Sequence, residues 1–212
     1  MYFELSRFSP LQRYKLLSST VTPRPIAWVS TIDDNGRPNA APFSFFNVFA
    51  EDPATLGFAI NHRSATDRKD TGENIRSQKE FVVNLVSADL VERMNITAIE
   101  FDPAVDEFAE AGLTPVASTR VRTPRIGESR VSFECRLMQI IPLGTMRSLV
   151  LGEVLAMHVR DDAVLDAERC WIDTPKLQLV GRMHGHHYLR MADVFEMPTI
   201  PAETWKTKPG ER

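Results

Sequence analysis

Apolar positions fall into short runs separated by turn residues, with few long helical stripes. Residues 26–32, Ile-Ala-Trp-Val-Ser-Thr-Ile, combine β-branched and aromatic side chains and predict a strand. Asp33-Asp34-Asn35-Gly36 follows as a turn signal, because Asn-Gly tolerates the positive φ of tight hairpins. A second strand is expected over 39–49. Pro42 interrupts it, and since proline cannot donate to a ladder, a bulge or a sheet edge is expected there. Residues 55–60 and 81–86 predict two more strands. Val131, Phe133, Cys135 and Leu137 alternate with Ser132, Glu134 and Arg136, the period of a half-buried strand. The last long strand is expected over 149–159.

Helical signals are shorter. Ser9 can cap, Pro10 suits the first helical position, and Gln12 can complete a capping box. Leu11, Tyr14 and Leu17 then share a face of a helix ending near residue 17. Further helices are expected over 67–77, 90–99 and 108–111, the last stopped by Gly112. From Pro198 the periodicity is lost, so one domain over 1–197 and an arm or tail over 198–212 are expected. The first three strands have short connections and should be antiparallel neighbours. No βαβ unit with a glycine-rich fingerprint follows the first strand, so a dinucleotide-binding Rossmann domain is not supported. The expected fold is mainly β with peripheral helices, an antiparallel barrel.

Composition narrows the function classes. The 212 residues suffice for a substantial core, and 43% hydrophobic with 25% charged residues is ordinary for a globular chain. A net charge of -3 with scattered Lys and Arg speaks against a nucleic-acid groove. No apolar stretch approaches the roughly 20 residues of a membrane span. The N-terminus has no basic region before an apolar run, and the two cysteines, Cys135 and Cys170, are far apart, so a cytoplasmic location is expected. Neither cysteine has a partner at metal-ligand spacing, and no G-x-S-x-G elbow occurs.

Three segments could carry chemistry. Residues 39–47, Asn-Ala-Ala-Pro-Phe-Ser-Phe-Phe-Asn, offer small side chains where a flat ring could meet free amides. They equally fit a bulged strand with a phenylalanine-rich core. Residues 61–71 carry Arg63, Arg68 and Lys69, with the hydroxyls of Ser64 and Thr71, near a helix start. That is a phosphate site or a solvated loop capped by Asp70. Residues 181–190 hold Gly181, Arg182, His184, His186, His187, Tyr188 and Arg190. The histidine spacing needs an irregular loop to bind metal, and a glycine loop presenting Arg182 and Tyr188 to an anion or ring is the better reading.

Taken in order, Thr22 to Thr31, Gly36, Asn39 to Asn47, Asp52-Pro53, Lys69-Asp70-Thr71 with Asn74-Ile75, Glu80 to Asn84, Gly152-Glu153-Val154, and Gly181-Arg182 with Tyr188 and Arg190 resemble the flavin reductase-like family. The resemblance covers about residues 18–195. It is strongest to the branch of the nitrilotriacetate-type monooxygenase reductase components and the flavoredoxins. It implies an FMN-binding split barrel, a homodimer, hydride from NAD(P)H, and FAD as an alternative flavin. A flavin-dependent monooxygenase is an implied electron acceptor, and an electron carrier with little NAD(P)H oxidation is the alternative reading. Carried over by position, Ser30 and Thr31 should lie near the phosphate or ribityl chain. Asn39, Ala40, Ala41, Phe43, Ser44 and Phe45 should line the isoalloxazine. Arg63, Lys69 and Thr71 should hold the phosphate, and Arg182 and Tyr188 should close the site, with the second subunit as one source. Many relatives carry Gly-Asp-His before the Gly-x-Val strand, the histidine lying near the nicotinamide. Here residues 143–148 read Leu-Gly-Thr-Met-Arg-Ser, without it. His158, at the far end of that strand, is expected to pack or face solvent.

Overall fold

In the computed structural model, residues 1–64, 69–102, 105–191 and 193–205 are described. In chain order the elements are α1 (Pro10–Thr20), β1 (Ala27–Ile32), β2 (Pro38–Phe43), β3 (Phe46–Glu51), β4 (Ala54–Asn61), α2 (Asp70–Gln78), β5 (Glu80–Leu85), α3 (Val91–Ile96) and α4 (Glu107–Glu110). There follow β6 (Pro115–Val116), β7 (Arg125–Ile126), β8 (Val131–Pro142), β9 (Arg147–Val159), β10 (Val164–Asp166), β11 (Trp171–Ile172), α5 (Thr174–Leu177), β12 (Val180–Arg182), β13 (Tyr188–Arg190) and α6 (Ala202–Trp205).

β1 is buried at every position because both of its faces are covered, which explains its continuous apolar run. Ala27 and Val29 enter a cluster with Phe43, Phe58 and Phe81. Trp28 points the other way, into a second cluster with Ala40, Met94 and Phe108. Its indole Nε1 donates to Thr97 Oγ1 at 2.9 Å, satisfying the polar end of a fully buried ring.

The main sheet has seven strands in the order β2-β1-β5-β8-β9-β4-β3, every pair antiparallel. Its two edge strands, β2 and β3, are consecutive in the chain and joined by Ser44 and Phe45. The sheet therefore curls until both edges meet at that connection, giving a split barrel. The single strand expected over 39–49 is thus two strands on opposite edges. The break falls after Phe43. Pro42 lies within β2, opposite Trp28, and is tolerated because an edge strand has one side free of ladder bonds. On the far wall, a Cβ at Gly152 would collide with the Phe81 ring, so only glycine allows β9 to cross there.

The capping box on α1 forms: Gln12 N donates to Ser9 Oγ at 3.3 Å and Ser9 N to Gln12 Oε1 at 2.9 Å. The helix runs on to Thr20, and its Leu11, Tyr14 and Leu17 are exposed. Buried Arg24 holds its end, donating to the carbonyls of Ser18 at 2.6 Å and Val21 at 2.7 Å. This is a cation's favoured place at a helix C-terminus. The helix expected over 67–77 is seen from Asp70. Residues 65–68, including Arg68, lie outside the described residues. α3 is shorter than the helix expected over 90–99, and the tail contains the single turn α6 before residues 206–212, which also lie outside. His158 is partly buried, and its Nε2 meets the fully buried Glu134 Oε1 at 2.5 Å.

Candidate functional site

Period-two alternation places Asn39, Ala41 and Phe43 on one side of β2, facing α2. Asn39 is the centre of a polar chain. Its Nδ2 donates to Glu107 Oε1 at 2.7 Å, and its Oδ1 accepts from Thr71 Oγ1 at 3.1 Å and Thr31 Oγ1 at 3.4 Å. Thr31 Oγ1 in turn accepts from Asn74 Nδ2 at 3.1 Å. Beside this chain lies a cavity of about 220 Å³ bordered by Ala41, Phe43, Lys69, Thr71 and Glu107. A second, about 210 Å³, continues past Arg37, Asp70 and Asn74. A third, about 130 Å³, shares Pro42, Phe43 and Lys69 with the first and reaches Tyr14, Phe45 and Arg147. Each is smaller than the ~300 Å³ lower bound of a typical ligand pocket, but joined as one groove they exceed it.

Charge is unevenly spread along the groove. Lys69 occupies the position before α2, and no side chain caps that helix. Its Nζ lies 3.2 Å from Glu100 Oε1, and Arg63 Nη2 lies 3.0 Å from Asp70 Oδ2. The opening amides of a helix have no intrahelical acceptor, so the Arg63 and Lys69 cations and these amides converge on one place, while the buried Thr71 hydroxyl is already donated to Asn39 and braces it from below. Burial, then the neighbouring Asp70 and Asp106 carboxylates, raise the Glu107 pKa, against the opposing pull of its backbone and Asn39 bonds. At the other end, the Arg147 guanidinium lies over the Phe45 ring at 4.4 Å, and burial lowers its pKa. Tyr14 stacks on the same ring with centroids 6.1 Å apart.

Of the residues singled out in the sequence, Thr31, Asn39, Ala41, Phe43, Ser44, Phe45, Arg63, Lys69 and Thr71 lie along or directly beneath this groove. Ser30 faces the opposite side of β1: its hydroxyl donates to Pro124 O at 2.7 Å and accepts from Asn84 Nδ2 at 3.1 Å. Ala40 faces the Trp28 cluster. Arg182 and Tyr188 pair with each other across β12 and β13, with the guanidinium 4.8 Å from the ring centroid, and do not border the groove of their own chain. His184 and His187 stack 4.8 Å apart in the intervening turn. Among the described residues no group of three His, Cys, Asp or Glu could hold a metal. Sequence reasoning assigned no site role to Tyr14, Asn74, Glu107 or Arg147. Asn74 was reachable, since it follows Thr71 by three residues on a helix.

A family model, the flavin reductase like domain, matches residues 18–173. The chain belongs to the flavin reductase-like family. An uncharacterized protein of Aquifex aeolicus is 45% identical to this family member over 177 residues, 84% of this chain and 89% of that protein. The structure of nitrilotriacetate monooxygenase component B from Bacillus cereus superposes with a TM-score of 0.88 at 30% identity, covering 93% of this chain and 98% of that one. That of the 2-nitrobenzoate 2-nitroreductase NbaA of Pseudomonas fluorescens gives 0.87 at 34% identity, covering 95% and 97%. In this flavin reductase-like domain the groove runs along the β2 edge and reaches the Ser44–Phe45 connection between the two sheet edges. The groove suits a flavin nucleotide: small side chains at Ala41 and Pro42 allow a ring to approach backbone, and the α2 start gathers donors for a phosphate.

Proposed function

We propose that this flavoprotein binds FMN non-covalently along β2, its phosphate at Lys69, Thr71 and the start of α2, and that it takes hydride from NAD(P)H. The observation that carries this is the convergence of Lys69 and the first-turn amides of α2, that of Thr71 among them, beside the small-residue stretch of β2. Bound flavin supplies the redox chemistry, so the protein's task is orientation and electrostatics. Asn39 and Thr71 fix the wall below the ring, and Phe43 and Pro42 exclude water from it. Reduced flavin then serves a partner, a flavin-dependent monooxygenase being the class suggested by the component B relative. The exposed apolar faces of α1 and β3, with Leu11, Leu17, Val48 and Phe49, support a homodimer. Light scattering giving only a 24 kDa species at high concentration would remove that part.

Titrating flavin-free protein with FMN tests the core of this reading. Quenching of flavin fluorescence with a stronger response to FMN than to FAD is expected, followed by bleaching of the flavin band on anaerobic addition of NADH or NADPH. No quenching at saturating protein rejects it. A carrier role with little NAD(P)H oxidation is favoured by Arg147 and its neighbours, which replace the family's Gly-Asp-His. Binding of FMN without steady-state nucleotide turnover would select the carrier.

A further inference from the structure

The chain beyond β13 leaves its apolar side chains in water. Val194, Phe195, Met197, Ile200 and Trp205 are each 63–79% exposed, five large apolar side chains within twelve residues. Contiguous apolar surface of that kind marks a contact. Residues 191–205 carry Asp193, Glu196 and Glu203 and no Lys or Arg. Pro198 and Pro201 fix their own φ and push the residues before them to extended backbone, which holds this arm open.

A complementary face lies on α1 and β3. Between them is a crevice of about 380 Å³ bordered by Leu17, Val21, Pro25 and Phe46. Leu17 and Val21 are exposed, as are Val48 and Phe49 further along β3. The crevice wall holds one cation, Arg24, and no carboxylate. Arg24 is 6% exposed; its Nη atoms donate to carbonyls, and its Nε has no hydrogen-bond partner among the described residues. α1 adds Arg13 and Lys15 and no acid. Arm and face thus match in apolar character and oppose in charge.

Direction decides which copy the arm covers. β13 starts at Tyr188 opposite Arg182, and Arg182 is bridged to Arg24 beside the crevice. The strand ends at Arg190, and Met191 N donates onward to Leu179 O at 3.3 Å. The arm therefore leaves its own crevice behind. Its fifteen steps from Arg190 to Trp205 reach at most about 50 Å at ~3.3–3.6 Å each, about three times the ~17 Å radius of gyration of a domain this long. We infer that residues 193–205 of each copy lie across the α1–β3 face of a second copy. Phe195 and Met197, two apart and so on one side of an extended chain, fill the crevice, and the acidic side chains run along α1. In a twofold dimer the exchange is reciprocal and covers both faces. The inference rests on the homodimer reading above and supplies its clasp.

Sedimentation across a concentration series reads the dimer, and every variant keeps the full chain. Phe195→Asp with Met197→Asp should weaken dimerisation at least about tenfold, the scale of re-exposing buried apolar side chains. Leu17→Asp, on the receiving face, should do the same. Cross-linking tells which copy the arm covers. Oxidising an equal mixture of Phe195→Cys chains and Val21→Cys chains, both with Cys170→Ser because Cys170 is exposed, should give a two-chain product. A link closed within single chains that carry both new cysteines would put the arm on its own face and overturn the exchange. A dimer as tight in the Asp variants as in the unaltered chain, with no cross-link, keeps the homodimer and overturns the arm. A single 24 kDa species at every concentration rejects the homodimer reading itself, and the exchange with it.

Discussion

Ser30 and Thr31 are neighbours on one strand and end in two different kinds of polar environment. Ser30 joins a closed network. Asn84 Nδ2 donates to Trp28 O and Ser30 Oγ, and its Oδ1 accepts from Ile126 N and Ser132 Oγ, all within 3.1 Å and all buried. Each polar atom there meets a protein partner, so the network holds β1, β5 and β8 in register and leaves no room for a ligand. Thr31 joins an open network, Asn39, Thr71, Asn74 and Glu107, that borders cavities along its whole length. Its members are bonded, yet they border open cavities and not closed core. Satisfaction makes the first region stable and inert. The second keeps capacity for a guest.

The sharpest contrast comes from Asn84→Leu. Buried partners left unpaired cost ~1–3 kcal/mol each, so the fold should lose at least about 3 kcal/mol, read from the denaturation midpoint. FMN affinity per folded molecule should not move. A stability change below about 1 kcal/mol would mean that the closed network is dispensable and the comparison false.

Lys69→Ala should do the reverse. Losing one charge-assisted contact is worth about 1.5–3 kcal/mol, so FMN should bind roughly 10- to 150-fold more weakly while riboflavin, without a phosphate, is unchanged. The fold should hardly notice, because Glu100, the ion-pair partner of Lys69, is mostly exposed. Equal losses for both ligands would show that Lys69 supports the ring or the wall and not the phosphate.

Glu107→Gln gives the smallest effect and a defined sign. The folded carboxyl has a raised pKa, so the native state holds its proton more readily than the unfolded chain does. Its stability contribution is complete at low pH and is lost as pH rises through the folded value. A bound phosphate adds negative charge nearby, so FMN affinity should fall in the same direction. The glutamine keeps an acceptor for Asn39 and removes the charge. It should flatten both dependences and strengthen binding near neutral pH, within about 1 kcal/mol. An unchanged pH profile would assign the dependence to another group.

Much of the groove was legible in the sequence because it is made by local chemistry. Residues 39–45 announce small side chains and a proline. Lys69 and Thr71 sit at a helix start, and the order of the family's segments added the rest. What failed was direction. Ser30 and Thr31, or Ala40 and Ala41, look equivalent until alternation on a two-faced buried strand sends one of each pair away. Glu107 and Tyr14 could not be found, because only the closing of the sheet brings residues so distant in sequence to one wall, whereas Arg147 stood in the segment already marked by the missing Gly-Asp-His. The position of the strand break was obscured for a related reason: Pro42 signals an edge, and only the three-dimensional order shows that both edges belong to the same segment.

The meeting of both sheet edges at one connection has a mechanical consequence. A closed barrel is fastened by hydrogen bonds all the way round, whereas this one is fastened across its gap by covalent chain, Ser44 and Phe45. From Phe43 to Phe46 the chain takes three steps and so spans at most about 10–11 Å, at ~3.3–3.6 Å each. The gap is therefore held to a fixed width by the length of a tether, independent of the side chains upon it. Composition at 44–45 can drift with the guest, but an added residue would widen the mouth of the groove while every strand pairing stayed intact.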